Sequence, residues 1–185
     1  KTVPAGQVYT AEQQTAGRGR RGREWVSPFA RNIYMSTVWQ FDAGAASVEG
    51  LSLGVGVAVA RALQSCNIAP IQLKWPNDVL ANGSKLGGIL LEMTGDASTQ
   101  CQVVVGVGLN VAMPASSAGV IDQAWTDVAT LAGGYAPKRN MLLAQLLNEL
   151  LPLLAGIESQ GFAAWRDAWN ALDAHADTPV VLHTG

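Results

Sequence analysis

The order of hydrophobic and polar residues divides the chain into alternating stretches and helical stretches. Alternation predicts half-buried strands, and apolar residues at three- and four-residue spacing predict helices. Strands are predicted at residues 7–12, 32–40, 71–75, 79–81, 85–93 and 102–109. Helices are predicted at 47–65, 126–131, 140–157 and 162–172, and residues 179–183 look like the start of another strand. This order predicts an α/β (α+β) fold in which a mixed, largely antiparallel sheet packs against helices.

A hairpin is predicted at Asn82-Gly83, between two of the short strands. This dipeptide suits a type I′ turn, because both central residues of that turn need positive φ angles. Continuing the pairing away from the turn places Lys85 opposite Leu80 and Lys74 opposite Leu91. Both lysines are then expected within a sheet of mostly aliphatic residues.

Glycine and proline modify two of the predicted helices. Gly54 and Gly56 lower the helix propensity of 47–65 and are expected to allow close packing against a sheet. Pro152 is expected to kink or interrupt the helix at 140–157.

No uninterrupted apolar run approaches the length of a membrane span, so we expect no membrane association and a cytoplasmic protein.

The charged residues are few but unevenly placed. Only 14% of the 185 residues are charged, 49% are hydrophobic, and the net charge is −2. These values argue against a disordered tail and against a generally basic nucleic-acid-binding surface. Of the chain's arginines, Arg18, Arg20, Arg21 and Arg23 stand within six residues of one another. A concentrated cationic spot in a nearly neutral chain predicts a local anion site.

The residues that usually hold metals or form disulfides are scarce. The sequence has two cysteines and two isolated histidines near its end. This inventory excludes a disulfide-stapled scaffold and argues against a zinc site or a Ser-His-Asp nucleophile. We therefore predict no metal held by the protein itself.

Residues 17–22 match the pattern G-x-G-x-x-G within a segment rich in arginine. A dinucleotide-binding motif requires a strand before the pattern and a helix after it. The following Trp-Val-Ser-Pro is not expected to form that helix, so this interpretation is disfavoured. Two further interpretations of this segment are an RG-rich nucleic-acid-binding patch and a solvated basic loop. A fourth interpretation is a phosphate loop, in which glycine N–H groups and arginines bind an anion and the loop becomes ordered on binding.

Two further segments carry candidate binding residues. Lys85 lies between apolar strand residues and needs an anionic partner, which is either an internal carboxylate such as Asp78 or a ligand. We favour a ligand for Lys85, because the glycines at 87–88 clear space beside it, and leave both readings open for Lys74. Residues 106–110, Gly-Val-Gly-Leu-Asn, end a buried strand whose glycines indicate either close ligand approach or packing under a helix.

Taken together, these motifs resemble those of the biotin protein ligases. The resemblance rests on Gln14, on GRGRRGR at 17–23 followed by Trp25, on KWPND at 74–78, KLGGIL at 85–90 and GVGLN at 106–110. In order and spacing they are most similar to the central catalytic domain of the bacterial bifunctional ligase/biotin-operon repressors. The resemblance implies a class II synthetase-like biotin/lipoate ligase fold. It also implies a catalytic domain at 1–178, incomplete at its N-terminus, and the start of a truncated C-terminal β domain at 179–185.

The resemblance further implies a two-step ligase reaction. Biotin and ATP give biotinyl-5′-AMP, and biotin then passes to a specific lysine of a biotin carboxyl carrier protein, a subunit of acetyl-CoA carboxylase. Mg²⁺ is expected to be held through the ATP phosphates. A homodimer is implied as well, and DNA binding only through a domain absent from this chain. Two alternatives are a lipoate ligase-like acyl transferase and a non-catalytic module that senses biotinyl-adenylate and dimerises within a repressor.

The family's functional positions transfer to individual residues of this sequence. Arg20 and Lys85 match catalytic positions that contact both biotin and the nucleotide. The remaining expected roles are biotin binding by Gln14, Gly17, Arg18, Gly19, Gly88, Gly106 and Gly108, nucleotide binding by Asn110 and Trp125, and support by Trp25, Lys74 and Asp78.

Overall fold

A computed structural model of the chain describes residues 4–95 and 99–181 and contains one six-stranded sheet. The strands are β1 (Val8–Ala11), β2 (Ile33–Phe41), β3 (Gln72–Lys74), β4 (Asp78–Ala81), β5 (Ser84–Gly95) and β6 (Cys101–Leu109). Their order across the sheet is β1-β2-β6-β5-β4-β3, and all the neighbouring strands are antiparallel. The predicted sheet is therefore confirmed, with no parallel strand pair in the described part of it.

The predicted helices are also present, with shifted ends. They are α1 (Leu51–Ser65), α2 (Val128–Leu131), α3 (Arg139–Gln160) and α4 (Ala163–Asn170). Short 3-10 helices occur at Arg20–Gly22, Ala45–Val48 and Ala115–Gly119. Helix α1 begins later than predicted because Gly50, with φ 77°, is left-handed and separates it from the preceding 3-10 helix.

Pro152 does not interrupt its helix, and the strand expected near the end of the chain is absent from the residues described there. Helix α3 runs without interruption through Pro152. Both Pro152 and Asn148, whose carbonyl loses its helical partner at a proline, are exposed, so water can satisfy that carbonyl. The strand expected at 179–183 is not formed by residues 179–181, and residues 182–185 lie outside the described part of the chain.

The β4–β5 hairpin turns where the sequence predicts. Asn82 and Gly83 have φ angles of 49° and 74°, as a type I′ turn requires, and Leu80 pairs with Lys85. The predicted pairing of Lys74 with Leu91 is wrong. Lys74 instead lies opposite Asp78, because the turn at residues 75–77 folds β3 back onto β4 and not onto β5.

Alternation along β6 separates the two faces of the sheet. Val103, Val105 and Val107 are buried in the hydrophobic core, whereas the residues between them face a cavity on the opposite side. The core lies between this sheet and the helices α1 and α3. The sheet therefore presents one face to the packed helices and leaves the other for binding.

The two glycines of α1 allow different close approaches. A Cβ atom on Gly56 would lie 3.3 Å from the side chain of Leu73 in β3, so this glycine packs on the sheet as predicted. A Cβ atom on Gly54 would lie 2.9 Å from Leu153, so Gly54 instead brings α1 close to α3. The sequence identified the need for small residues but not both neighbours.

Two helical stretches, Ala45–Ser65 and Arg139–Gln160, are long and apolar enough to cross a membrane by length and composition. The sequence predicts no apolar run of this length, because charged residues interrupt its apolar segments. Both supply residues to the hydrophobic core, and core helices of water-soluble proteins meet the same two criteria. The expectation of no membrane association therefore stays a prediction.

Candidate active site

A cavity of about 880 Å³ opens on the face of the sheet opposite the helices. Its walls come from the segment 14–25, here called the arginine loop, from strands β4 to β6, and from the segment 120–125. With the exception of Gly17, every site residue predicted from the sequence lines this cavity: Gln14, Arg18, Gly19, Arg20, Trp25, Lys74, Asp78, Lys85, Gly88, Gly106, Gly108, Asn110 and Trp125. Motifs far apart in sequence thus meet in one place.

The floor of the cavity is bare backbone where β5 and β6 pair. Gly88 lies directly opposite Gly108, and Gly106 lies opposite Leu90. The Trp25 indole packs against this floor: a Cβ atom added to Gly108 would lie only 2.7 Å from its ring. The indole Nε1 is buried and has no hydrogen-bond partner among the described residues. Missing side chains on neighbouring strands therefore create the space into which Trp25 and a ligand can fit.

Adjacent glycines of β5 should respond differently to alanine. A Cβ atom on Gly87 would lie 2.7 Å from the Gly108 carbonyl oxygen, whereas one on Gly88 meets no atom closer than 3.5 Å. We expect Gly87→Ala to lower the free energy of unfolding by about 1–3 kcal/mol, because the opposing backbone must move. Gly88→Ala, its matched control, should cost less than ~0.5 kcal/mol. Urea unfolding of both variants measures this difference, and equal stabilities would contradict it.

The arginine loop is folded on itself. The backbone N–H of Trp25 donates to the Gly17 carbonyl at 3.0 Å, and the backbone N–H of Gly19 donates to the Arg23 carbonyl at 2.7 Å. Gly17 is buried behind the cavity wall, where a Cβ atom would lie 2.8 Å from the Trp25 carbonyl oxygen. Only glycine lets Trp25 approach so closely, so Gly17 has a packing role. Its contact with biotin stays a prediction.

One arginine of the loop is joined to the sheet by an ion pair. The Arg18 guanidinium lies 3.0 Å from the Glu92 carboxylate of β5, and both side chains are more than half exposed. Such an exposed pair contributes little to stability. It nevertheless holds the loop across the cavity, on whose wall Arg20 and Arg23 also lie. The cavity is therefore rich in guanidinium groups suited to bind phosphate or carboxylate oxygens.

The ammonium group of Lys85 already has an anionic partner inside the protein. Its Nζ lies 2.7 Å from Oδ1 of Asp78, and the side chains are only 16% and 23% exposed. The same Nζ stands 5.8 Å from the centre of the Trp25 ring, within reach of a cation–π contact. Lys74 is exposed at the rim. Lys85 therefore has an internal anionic partner, which was the less favoured interpretation of its sequence, and it still faces the cavity where a ligand is predicted.

The segment that carries Trp125 is attached to Lys85 through the backbone. The Lys85 N–H donates to the Ala124 carbonyl at 2.9 Å, and the Thr126 N–H donates to the Lys85 carbonyl at 2.9 Å. Asn110, only 4% exposed, donates from Nδ2 to the Thr126 carbonyl at 3.1 Å. Asn110 thus has a structural hydrogen bond in addition to its place on the cavity wall.

One residue of this region was missed by sequence reasoning. Asp127 is buried and accepts hydrogen bonds from the Met113 N–H at 2.7 Å and the Thr130 N–H at 2.8 Å. It caps α2, and an aspartate directly before a short apolar run is a recognisable signal for that role. Glu92 lies on the same face of β5 as Gly88, and its partner is Arg18 and not one of the strand lysines.

The described residues contain no group of three or more His, Cys, Asp or Glu side chains that could hold a metal ion. Of the carboxylates on the cavity wall, Asp78 is paired with Lys85 and Glu92 with Arg18. The arrangement is therefore suited to bind anions. A site with two lysines, several arginines and exposed backbone can bring a carboxylate and a polyphosphate together without a protein nucleophile.

Comparisons with known proteins agree with this chemistry. The sequence profile of the biotin/lipoate A/B protein ligase family matches residues 1–110. The chain is 40% identical over 181 residues to the bifunctional ligase/repressor BirA of Salmonella typhimurium, covering 98% of this chain and 56% of that protein. It is 38% identical over 179 residues to the biotin–[acetyl-CoA-carboxylase] ligase of Paracoccus denitrificans, covering 95% of this chain and 74% of that protein.

A solved structure has the same fold. The biotin protein ligase from Aquifex aeolicus, in complex with biotin and ATP, superimposes with a TM-score of 0.78 at 26% identity. The match covers 95% of this chain and 72% of that one. The class II synthetase-like fold implied by the sequence motifs is consistent with this likeness. The chain spans little more than half the length of the BirA proteins it matches. It belongs to the biotin/lipoate A/B protein ligase family.

Proposed function

We propose that this chain carries the catalytic site of a biotin–[acetyl-CoA-carboxylase] ligase. The observation that carries the proposal is the meeting of Lys85 and the arginine loop across one cavity with a glycine floor. Relatives of both high identity and high coverage are named as biotin ligases, and a structural neighbour binds biotin and ATP. The proposed substrates are biotin, ATP and a biotin carboxyl carrier protein.

In the first step, a biotin carboxylate oxygen attacks the α-phosphorus of ATP. An oxygen–phosphorus bond forms, the bond to the β-phosphate bridging oxygen breaks, and pyrophosphate leaves. The Lys85 ammonium would stand between carboxylate and α-phosphate, where its charge offsets that of both reactants. Asp78 holds this ammonium in place until the anions arrive. Arg20 would supply further positive charge at the transferring phosphoryl group.

In the second step, the ε-amine of the carrier lysine attacks the acyl carbon of biotinyl-5′-AMP. An amide bond forms, AMP leaves, and the attacking nitrogen loses a proton. The intermediate must be kept from water until the carrier arrives. The arginine loop, fastened at Arg18 to Glu92, lies across the cavity where it can serve this purpose.

Mg²⁺ is proposed to enter with the ATP phosphates. The described residues supply no three-ligand cage, and the cavity carboxylates nearest the cations are used in ion pairs. A metal that brings its own phosphate ligands fits such a wall better than one held by the protein alone.

The homodimer, the cytoplasmic location and the domain division at residue 178 remain predictions that rest on the family resemblance.

Label transfer tests the proposed function. We expect purified protein to attach [¹⁴C]biotin to a carrier lysine only when ATP is present, with pyrophosphate released in equal amount. A carrier whose acceptor lysine is replaced by alanine is the matched control. Transfer of lipoate in preference to biotin would support the acyl-transferase alternative. Tight binding of biotinyl-5′-AMP without transfer would support the sensing module and overturn the enzyme assignment.

A further inference from the structure

The two ends of the arginine loop meet where residues 12–14 lie beside residues 27–30, just before β2. This contact is called the neck of the loop. The Gln14 N–H donates to the Ser27 hydroxyl oxygen at 2.7 Å. Next to this contact, the Ala30 N–H donates to the Glu12 carbonyl at 2.9 Å. These two hydrogen bonds join the chain entering the loop to the chain leaving it. Gln14, which lines the cavity, is thus fixed from the far side of the loop.

The neck is fastened to the sheet by a buried tyrosine. Tyr34 of β2 is 3% exposed, and its hydroxyl donates to the Pro28 carbonyl at 3.1 Å. Pro28 directly follows Ser27 in the chain. The backbone of Gln14 is therefore hydrogen-bonded to Ser27, and the next residue, Pro28, is hydrogen-bonded to the buried Tyr34.

We propose that Ser27 and Tyr34 are positioning residues that hold the neck of the arginine loop and thereby place the Gln14 side chain for biotin recognition. The inference rests on the proposed function. Neither residue is among those lining the cavity, so each acts through Gln14 and not by touching substrate. A misplacement of a recognition group by about 1 Å is enough to weaken binding or catalysis strongly.

The protonation state of the Tyr34 hydroxyl suits this role. Burial raises the pKa of the Tyr34 phenol, although the neighbouring Ser27 and Asn32 side chains and the charge of Arg139 act against that rise. The hydroxyl therefore stays protonated and keeps its donated bond to Pro28 throughout the neutral range. The neck can thus hold the loop in the same way throughout this range.

Single-oxygen deletions test the proposal. In Ser27→Ala the Gln14 N–H loses its acceptor, and in Tyr34→Phe the Pro28 carbonyl loses its donor. We expect the Kd for biotin, measured by titration calorimetry without ATP, to rise about tenfold in Ser27→Ala. A smaller rise is expected in Tyr34→Phe. The double variant should bind no more weakly than the worse single variant, because both deletions release the same attachment of Gln14.

Matched controls separate positioning from general stability. Ser65→Ala and Tyr9→Phe remove the same atoms at the end of α1 and on the exposed strand β1. Both should leave the Kd for biotin unchanged. Ser27→Thr keeps the hydroxyl and should restore binding. Hydrogen exchange should accelerate at residues 14–25 in Ser27→Ala and Tyr34→Phe, while the amides of β6 keep their protection.

The outcomes distinguish this proposal from the function on which it rests. If the unaltered protein does not bind biotin, the proposed function fails and the role of Gln14 fails with it. If the unaltered protein binds biotin and both deletions leave Kd and loop exchange unchanged, only the positioning role is overturned. Loss of binding in parallel with a loss of protection throughout β6 would assign Ser27 and Tyr34 to general stability and also overturn it.

Discussion

Replacing Lys85 with alanine is expected to abolish formation of biotinyl-5′-AMP, lowering its rate by at least ~100-fold. The substitution removes the cation proposed to stand between the biotin carboxylate and the α-phosphate. It also leaves the Asp78 carboxylate without the ammonium that lies 2.7 Å away, so a negative charge faces two anionic substrates. Loss of attraction and gain of repulsion act in the same direction. Single-turnover release of pyrophosphate measures the effect.

A lysine outside the cavity provides the comparison. Lys138 is exposed at the start of α3 and does not line the cavity, so Lys138→Ala should release pyrophosphate at the normal rate. Lys85→Arg should remain strongly impaired, because the planar guanidinium does not reproduce the compact ammonium. Near-normal pyrophosphate release by Lys85→Ala would refute the proposed role.

Replacing Arg20 with glycine is expected to affect the intermediate after it has formed. Arg20 lies on the cavity wall within the 3-10 turn of the arginine loop. Its removal deletes a charged contact to phosphate, and glycine loosens the turn that presents it. We expect biotinyl-5′-AMP to dissociate about 100-fold faster, with adenylate formation less affected. A chase with unlabelled biotin, following preformed labelled adenylate, measures the dissociation rate.

The consequence should also be visible in the acceptor. Released adenylate acylates lysines without selection, so Arg20→Gly should label bystander proteins that the unaltered enzyme leaves unlabelled. Arg31→Gly, outside the cavity, provides the matched control and should retain the adenylate normally. Unchanged retention of adenylate by Arg20→Gly would remove Arg20 from the proposed role.

The sheet and its hairpin could be predicted because their signals are local. Alternation marks β6, and Asn82-Gly83 marks its own turn by the φ angles that the turn requires. The position of β3 could not be obtained in this way. Whether Lys74 faces Leu91 or Asp78 depends on how the chain reverses at residues 75–77, and alternation gives the same pattern for both pairings.

The members of the site could be predicted, but not all their interactions. The motifs named the residues that surround the cavity, because ligand chemistry restricts which residues can occupy those positions. The Arg18–Glu92 pair and the hydrogen bond from the Met113 N–H to Asp127 depend on segments that meet only in the folded chain. The same is true of Ser27 and Tyr34, whose residue types carry no chemical signal until the loop neck brings them together.

The glycine floor determines how this pocket could be altered by protein engineering. Gly88, Gly106 and Gly108 have no side chains to shorten, so substitution at these positions can only make the pocket smaller. Among the side chains that contact this floor, Trp25 is the bulky one that can be truncated, and it belongs to the loop. A redesign that accepts a larger biotin analogue should therefore begin at Trp25, and specificity can evolve through the loop while the sheet stays unchanged.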